Sequence, residues 1–130
     1  MARVDTLPAI LRPLMDGSSV ETRCCAVCGA TWPLNRHHIV RRGAGKAYKG
    51  GVELLKPTIV LCGSGNASGC HGLAHAGRLH FRWVPLRWSI ERPVPDGSGH
   101  WEWLLTDEPT SYAAALESDG WAPLPGRRPR

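Results

Sequence analysis

Five cysteines constrain what this chain can fold into more than any other feature: Cys25-x-x-Cys28, then Cys62-x7-Cys70, with Cys24 beside the first pair. Four thiols suit a closed tetrahedral Zn²⁺ site, where Zn–S bonds of about 2.3 Å form without geometric preference from the d electrons. The x2 spacing favours Cys25 over Cys24 as ligand, leaving Cys24 a free thiol. An odd number of thiols argues against a closed disulfide framework. A chain of 130 residues, 42% of them apolar, is one domain with a core of limited size, so a metal staple is expected. The segment Met1 to Leu7 shows no secretory signal, and no apolar run approaches the roughly 18 residues of a membrane span. The expectation is a reducing, cytoplasmic compartment with metal as the home of the thiols and no membrane partner.

Giving the cysteines to one ion leaves the histidines to another. His37-His38 lies between the two cysteine groups, and Cys70 runs straight into His71-x-x-x-His75. At i and i+4 of a helix, His71 and His75 share one face with Cβ atoms roughly 5–6 Å apart, so both rings can reach one ion. Three histidines converging beside the knuckle would make a second, open metal site, with one more imidazole as a base. Neighbours on a strand point to opposite faces, so His37 and His38 cannot both face one ion in regular β geometry. The bland alternatives are a buried, hydrogen-bonded histidine in the His37-His38 pair and an incidental pair on the helix.

The rest of the chain reads in segments. Residues 1–22 form an amino-terminal arm in which Pro8 and Pro13 allow at most a helical turn or two before Asp16-Gly17. Gly29 follows the first knuckle where an unhindered backbone is needed. Residues 31–40 read as a short two-stranded ribbon around Asn35-Arg36, ending in His37-His38-Ile39-Val40. Gly43, Gly45, Gly50 and Gly51 then break the chain into a mobile basic loop. Thr58 to Cys62 is a buried strand or the lead into the second knuckle. After Gly77 the period becomes two: Leu79, Phe81 and Trp83 answer Trp101, Trp103 and Leu105 as a hairpin, whose first arm could continue to Trp88 and Ile90. Pro109 stands at a first helical position, leading Tyr112 to Glu117 into a helix that stops near Gly120. Residues 123–130 read as a disordered basic tail.

Net charge is +5, and Arg36, Arg41, Arg42, Lys46 and Lys49 cluster around the histidines. Such a field attracts phosphates, though alone it gives only weak binding, with Kd of about 10⁻⁴ to 10⁻⁶ M. These residues would hold a DNA backbone. His80 reads as structural and His100 as surface. The tryptophans read as core, with single-strand binding an option should some be exposed.

Together, Cys-x-x-Cys, His-His before a Gly-rich basic loop, and Leu-Cys with a further Cys directly before His-x-x-x-His resemble the HNH nucleases, especially their small phage-encoded, zinc-containing members. The likeness covers residues 24–80, and the carboxy-terminal half matches more weakly an extension of some actinobacteriophage versions. The resemblance implies an α+β fold: a ββα-metal (HNH, His-Me finger) core with a four-cysteine zinc knuckle at residues 23–80, and a Trp-rich hairpin and short helix at 81–122 packed on it. It further implies that His37, His71 and His75 hold a catalytic divalent ion, Mg²⁺, Mn²⁺, Ni²⁺ or Zn²⁺. His38 would be the general base, and Cys25, Cys28, Cys62 and Cys70 would hold structural Zn²⁺. The implied activity is metal-dependent DNA cleavage with low sequence specificity, in a host cytoplasm beside a phage terminase or other packaging proteins.

One position departs from the family pattern. Where its middle Asn, which ties down the loop carrying the base, is expected, this chain has Pro57 followed by Thr58, with Asn35 and Asn66 as the available substitutes. The departure leaves two other readings open: a zinc-stapled nucleic-acid-binding module whose nuclease centre has decayed, and a structural or regulatory partner in a larger phage assembly.

Overall fold

The computed structural model describes residues 4–87, 91, 93–94 and 97–126, in which short strands and helices make a small mixed α+β fold. A 3₁₀ helix, Ala9–Asp16, comes first. It is followed by β1 (Leu34–His38), the hairpin β2 (Tyr48–Lys49) and β3 (Val52–Glu53), and β4 (Thr58–Cys62). Then come α1 (Gly69–His75), β5 (Leu79–Pro85), β6 (Gly99–Leu105), α2 (Tyr112–Leu116) and β7 (Ala122–Pro123). Among the described residues no helix is long and apolar enough to cross a membrane.

The element that positions the site is the antiparallel pair of β1 and β4, with Asn35 opposite Leu61, His37 opposite Ile59, and His38 opposite Thr58. Opposed residues share a face, so His37 stands in the same row as Ile59 and Leu61, which are wholly buried. The expected ribbon within residues 31–40 is therefore not what forms: all of Leu34–His38 is one strand, and its partner is β4. β4 is both the buried strand and the lead into the second knuckle, since its last residue is Cys62.

The two glycine pairs do not produce a formless loop. Gly50 and Gly51 have φ of 60° and 81°, and positive φ at both central positions is the condition for the tight turn that joins β2 to β3. Residues 42–44 make a 3₁₀ turn.

The amino-terminal arm is part of the body. Leu7 and Leu14 are buried in the core, Val20 bridges in parallel to Ile59, and the indole of Trp101 donates to Ser18 O at 2.7 Å. The prolines are tolerated because the tighter 3₁₀ helix and its short length leave few donors to lose.

β5 and β6 pair as expected, with Phe81 opposite Trp103 and Trp83 opposite Trp101. The Trp83 and Trp101 rings meet edge to face, with centroids 5.2 Å apart. Leu79, Phe81, Trp83 and Trp101 are buried in one cluster with Cys25, Cys62 and Cys70, so the hairpin belongs to the core that carries the cysteines. Trp88 and Ile90 lie outside the described residues. α2 starts from Ser111, whose hydroxyl accepts from Ala114 N at 3.1 Å, so a serine cap sets the start and Pro109 stays outside the helix. Residues 123–126 are not tail: Pro123 pairs with Glu102, and buried Gly126 donates to Ala26 O at 2.9 Å.

Candidate functional site

Two groups of metal-ligating side chains come together. In the first, Cys25, Cys28, Cys62 and Cys70 bring their sulfurs within 4.8 Å of one another. Cys28 Sγ and Cys62 Sγ are 3.4 Å apart. A tetrahedral ion with bonds of about 2.3 Å would set sulfurs about 3.8 Å apart, so the cluster is close to closing on one ion such as zinc. None of the five cysteines forms a disulfide, and Cys24 stays outside the group.

Backbone geometry explains why these thiols meet. The first knuckle turns through Gly29 at φ 81°, with Gly29 N donating to Cys25 O at 2.9 Å and Cys28 N to Cys25 Sγ at 3.5 Å. In the second, Cys70 N donates to Cys62 Sγ at 3.3 Å. Such N–H donors favour the thiolate form that a metal needs. A hydrogen bond from Cys70 holds Cys25 down at about 4, while the same bond, then burial, raises Cys70 well above the thiol range. One proton shared between crowded sulfurs is what a divalent cation would displace.

The second group is His37, His71 and His75, whose ligand atoms also lie within 4.8 Å of one another. His71 Nε2 and His75 Nε2 are 3.1 Å apart. Two nitrogens bound at about 2.1 Å to one ion stand about 3.0 Å apart at a right angle and about 3.4 Å at the tetrahedral angle, so this pair already has the required separation. The His37 ring centroid is 5.2 Å from that of His71 and 5.4 Å from that of His75. His71 Nδ1 faces Gly65 O at 2.8 Å, which assigns its proton to Nδ1 and leaves Nε2 as a lone pair for the shared point.

Electrostatics favour the neutral form of His37 and His75. Burial, then the neighbouring His71, His75 and His38 rings, pushes His37 down to about 4. Burial, then His71 and Arg41, lowers His75. Neutral imidazoles are the ligand form.

All three rings open onto a cavity of about 550 Å³ that His38, Arg36, Arg41 and Arg42 also line. His38 is the last residue of β1, and its Nε2 lies 3.5 Å from Arg42 Nε, at the limit of a hydrogen bond. Burial, then Arg42 and Lys56, lowers its pKa.

The basic residues divide. Arg36 pairs with Glu21 and Lys46 with Glu53, each at 3.5 Å and well exposed, contacts weak enough to exchange for a phosphate. Lys49 is exposed on β2, outside the cavity lining.

Of the Asn candidates, Asn35 Nδ2 donates to Gly63 O and so ties β1 to the second knuckle, while Asn66 lines the cavity. Neither is seen bonded to the segment after His38. His80 Nε2 donates to Gly77 O at 2.8 Å and lies 2.9 Å from Thr110 Oγ1, as expected of a structural histidine. Nothing in the local pattern singled out Gly65, the acceptor for His71, or Phe81, whose ring lies 6.5 Å from His37, because both contacts cross between segments.

No protein-family model matches the chain, and no curated protein and no solved structure matches it.

Proposed function

We propose that this chain is an HNH-type, metal-dependent DNA endonuclease of low sequence specificity. The observation that carries the reading is the convergence of His37, His71 and His75 in a cavity that also holds His38 and three arginines. The order of β1, β4 and α1, with one ligand on the first strand and two on the helix, supports a ββα-metal core stapled by a zinc ion on the four cysteines.

His37, His71 and His75 would hold the divalent ion, and three imidazoles bind Zn²⁺ or Ni²⁺ more tightly than Mg²⁺, which prefers oxygen. When bound, that ion supplies Lewis-acid stabilisation of charge on the phosphate and on the departing 3′ oxygen. His38 accepts the proton of the attacking water. Burial and the adjacent cations lower its pKa and so favour the unprotonated ring, and base catalysis of this kind typically contributes about 10² to 10⁴ in rate. Arg36, Arg41 and Arg42 hold the DNA backbone, each phosphate contact adding about 0.9 to the log–log salt slope.

The test is plasmid nicking with Mg²⁺, Mn²⁺, Ni²⁺ or Zn²⁺ restored after mild chelation. His38→Ala is expected to abolish nicking while both metals are retained; undiminished nicking removes His38 as the base. One observation favours a second reading. Trp32 is 84% exposed, a surface on which a single-stranded base could stack, as in a zinc-stapled binding module. Metal stoichiometry separates the two, because the module needs only the cysteine-bound ion.

A further inference from the structure

We propose that Lys56 is a positioning residue of this site: its ammonium clamps the turn after His38 and so fixes Arg42 against the His38 ring. The proposal rests on the hydrolytic reading above and adds to it a residue that touches neither metal ligand nor substrate.

Lys56 Nζ donates to Arg41 O and to Arg42 O, both at 2.8 Å. Arg41 O also accepts from Ala44 N at 3.1 Å, the bond that closes the 3₁₀ turn Arg42–Ala44. One half-buried cation thus gathers two successive carbonyls of an otherwise exposed segment, and bonds to a charged donor are the stronger kind.

The anchor behind the lysine is firm. Lys56 directly precedes buried Pro57, whose ring fixes its own φ and whose carbonyl accepts from Ile39 N at 3.1 Å. The segment leaving β1 is therefore held to the segment entering β4 at two points, Ile39 on Pro57 and the 41–42 carbonyls on Lys56. His38, at the strand end, directly precedes the first point, and Arg42 belongs to the second, with its Nε 3.5 Å from His38 Nε2. Release of the clamp frees the turn, and Arg42 loses its fixed approach to the ring.

The clamp makes a distinctive kinetic prediction. Lys56 spends its donors on the backbone carbonyls of Arg41 and Arg42, so its loss removes no phosphate contact of its own, and the freed arginines weaken ground-state binding less than the turn's release slows the reacting step. What changes most is the placement of His38, and misplacement of a reacting group by about 1 Å can cost on the order of 10²-fold in rate.

Lys56→Met keeps the length of the side chain and removes its donors. In the nicking assay it is expected to lower kcat at least about tenfold, a larger factor than any rise in KM from the freed Arg41 and Arg42, and Lys56→Arg, whose planar fork can still span two carbonyls, should recover most of the loss. Hydrogen exchange should show the Ala44 amide losing protection in Lys56→Met, while zinc content and melting of the core stay near those of the unsubstituted protein. An unchanged kcat, or a rise in KM that alone accounts for the loss, overturns the proposal. Absence of nicking in the unsubstituted protein overturns the hydrolytic reading and the positioning role with it. The exchange measurement is read separately, and unchanged Ala44 protection overturns the clamp itself.

Discussion

The three-histidine centre depends on which nitrogen of each ring carries the proton. Gly65 O fixes that choice for His71, while for His37 burial beside His71, His75 and His38 favours the neutral ring, with its pKa held at about 4. The sign of the consequence follows from linkage. The folded chain disfavours protonated His37, whereas in the unfolded chain the ordinary value of 6.5 applies, so the unfolded state takes up the proton first. Stability from His37 is full above that value and is lost as pH falls from 6.5 towards about 4. Urea melts of the zinc-loaded protein at about pH 7 and about pH 5 should show a loss that is smaller in His37→Gln, which has nothing to protonate. Equal losses would dismiss His37 as the source. The i, i+4 spacing of His71 and His75 was enough to foresee their meeting, since a helix places such residues on one face. Gly65 as the partner of His71 was not foreseeable, because a backbone carbonyl in a glycine-rich turn leaves no mark in side-chain pattern.

At the scale of elements, the junction between β4 and α1 does most to aim the site, because it delivers Cys62 at the end of the strand and Cys70, His71 and His75 on the helix that follows. Gly69 makes that junction possible. Its φ is +63°, and a Cβ there would lie 2.5 Å from Cys62 O, a backbone atom that cannot step aside without moving a residue of the four-cysteine cluster. Gly69→Ala should therefore destabilise by more than the roughly 1 kcal/mol of left-handed strain alone, and should blur the absorption of Co²⁺ bound to the four thiolates. Urea melts and Co²⁺ spectra check both, and a wild-type spectrum with unchanged stability would mean that the junction relaxes freely. The i, i+4 pair and the alternating tryptophans made α1 and the β5–β6 hairpin legible, since both elements satisfy their own pattern locally. The partner of β1 was not legible, because a strand does not record which distant strand it joins. The Asn35-Arg36 step suggested a turn, but the chain continues straight because β4 offers five paired residues from Thr58 to Cys62. Gly50 and Gly51 carried the hairpin signal openly, yet two-residue strands are too short to show a period.

Over the whole molecule, the question is whether the tryptophan hairpin is an attachment to the zinc core or part of it. The hairpin, expected as an extension packed on the core, shares one buried cluster with it: Phe81, Trp83 and Trp101 lie with Cys25, Cys62 and Cys70. Gly126 closes the chain back onto Ala26 within the first knuckle. The hairpin's buried side chains rest on the cluster that holds the cysteines, so opening that centre removes the surface they pack on, and structural zinc contributes about 10–16 kcal/mol in isolated fingers. Two stages of metal removal should then differ in kind. Mild chelation, by stripping the histidine-held ion, should end nicking and leave near-ultraviolet circular dichroism unchanged. Removal of the thiolate-held ion, or Cys62→Ser, should abolish the near-ultraviolet tryptophan signal together with the far-ultraviolet signal in one transition. Retention of the tryptophan signal after the cysteine ion has left would show that residues 79–105 fold without the staple, and the cavity wall that Phe81 provides would then belong to a separate unit. The single-transition outcome instead ties the three-histidine centre to the staple, because the strand that carries His37 is paired along its whole length with the strand that ends in Cys62.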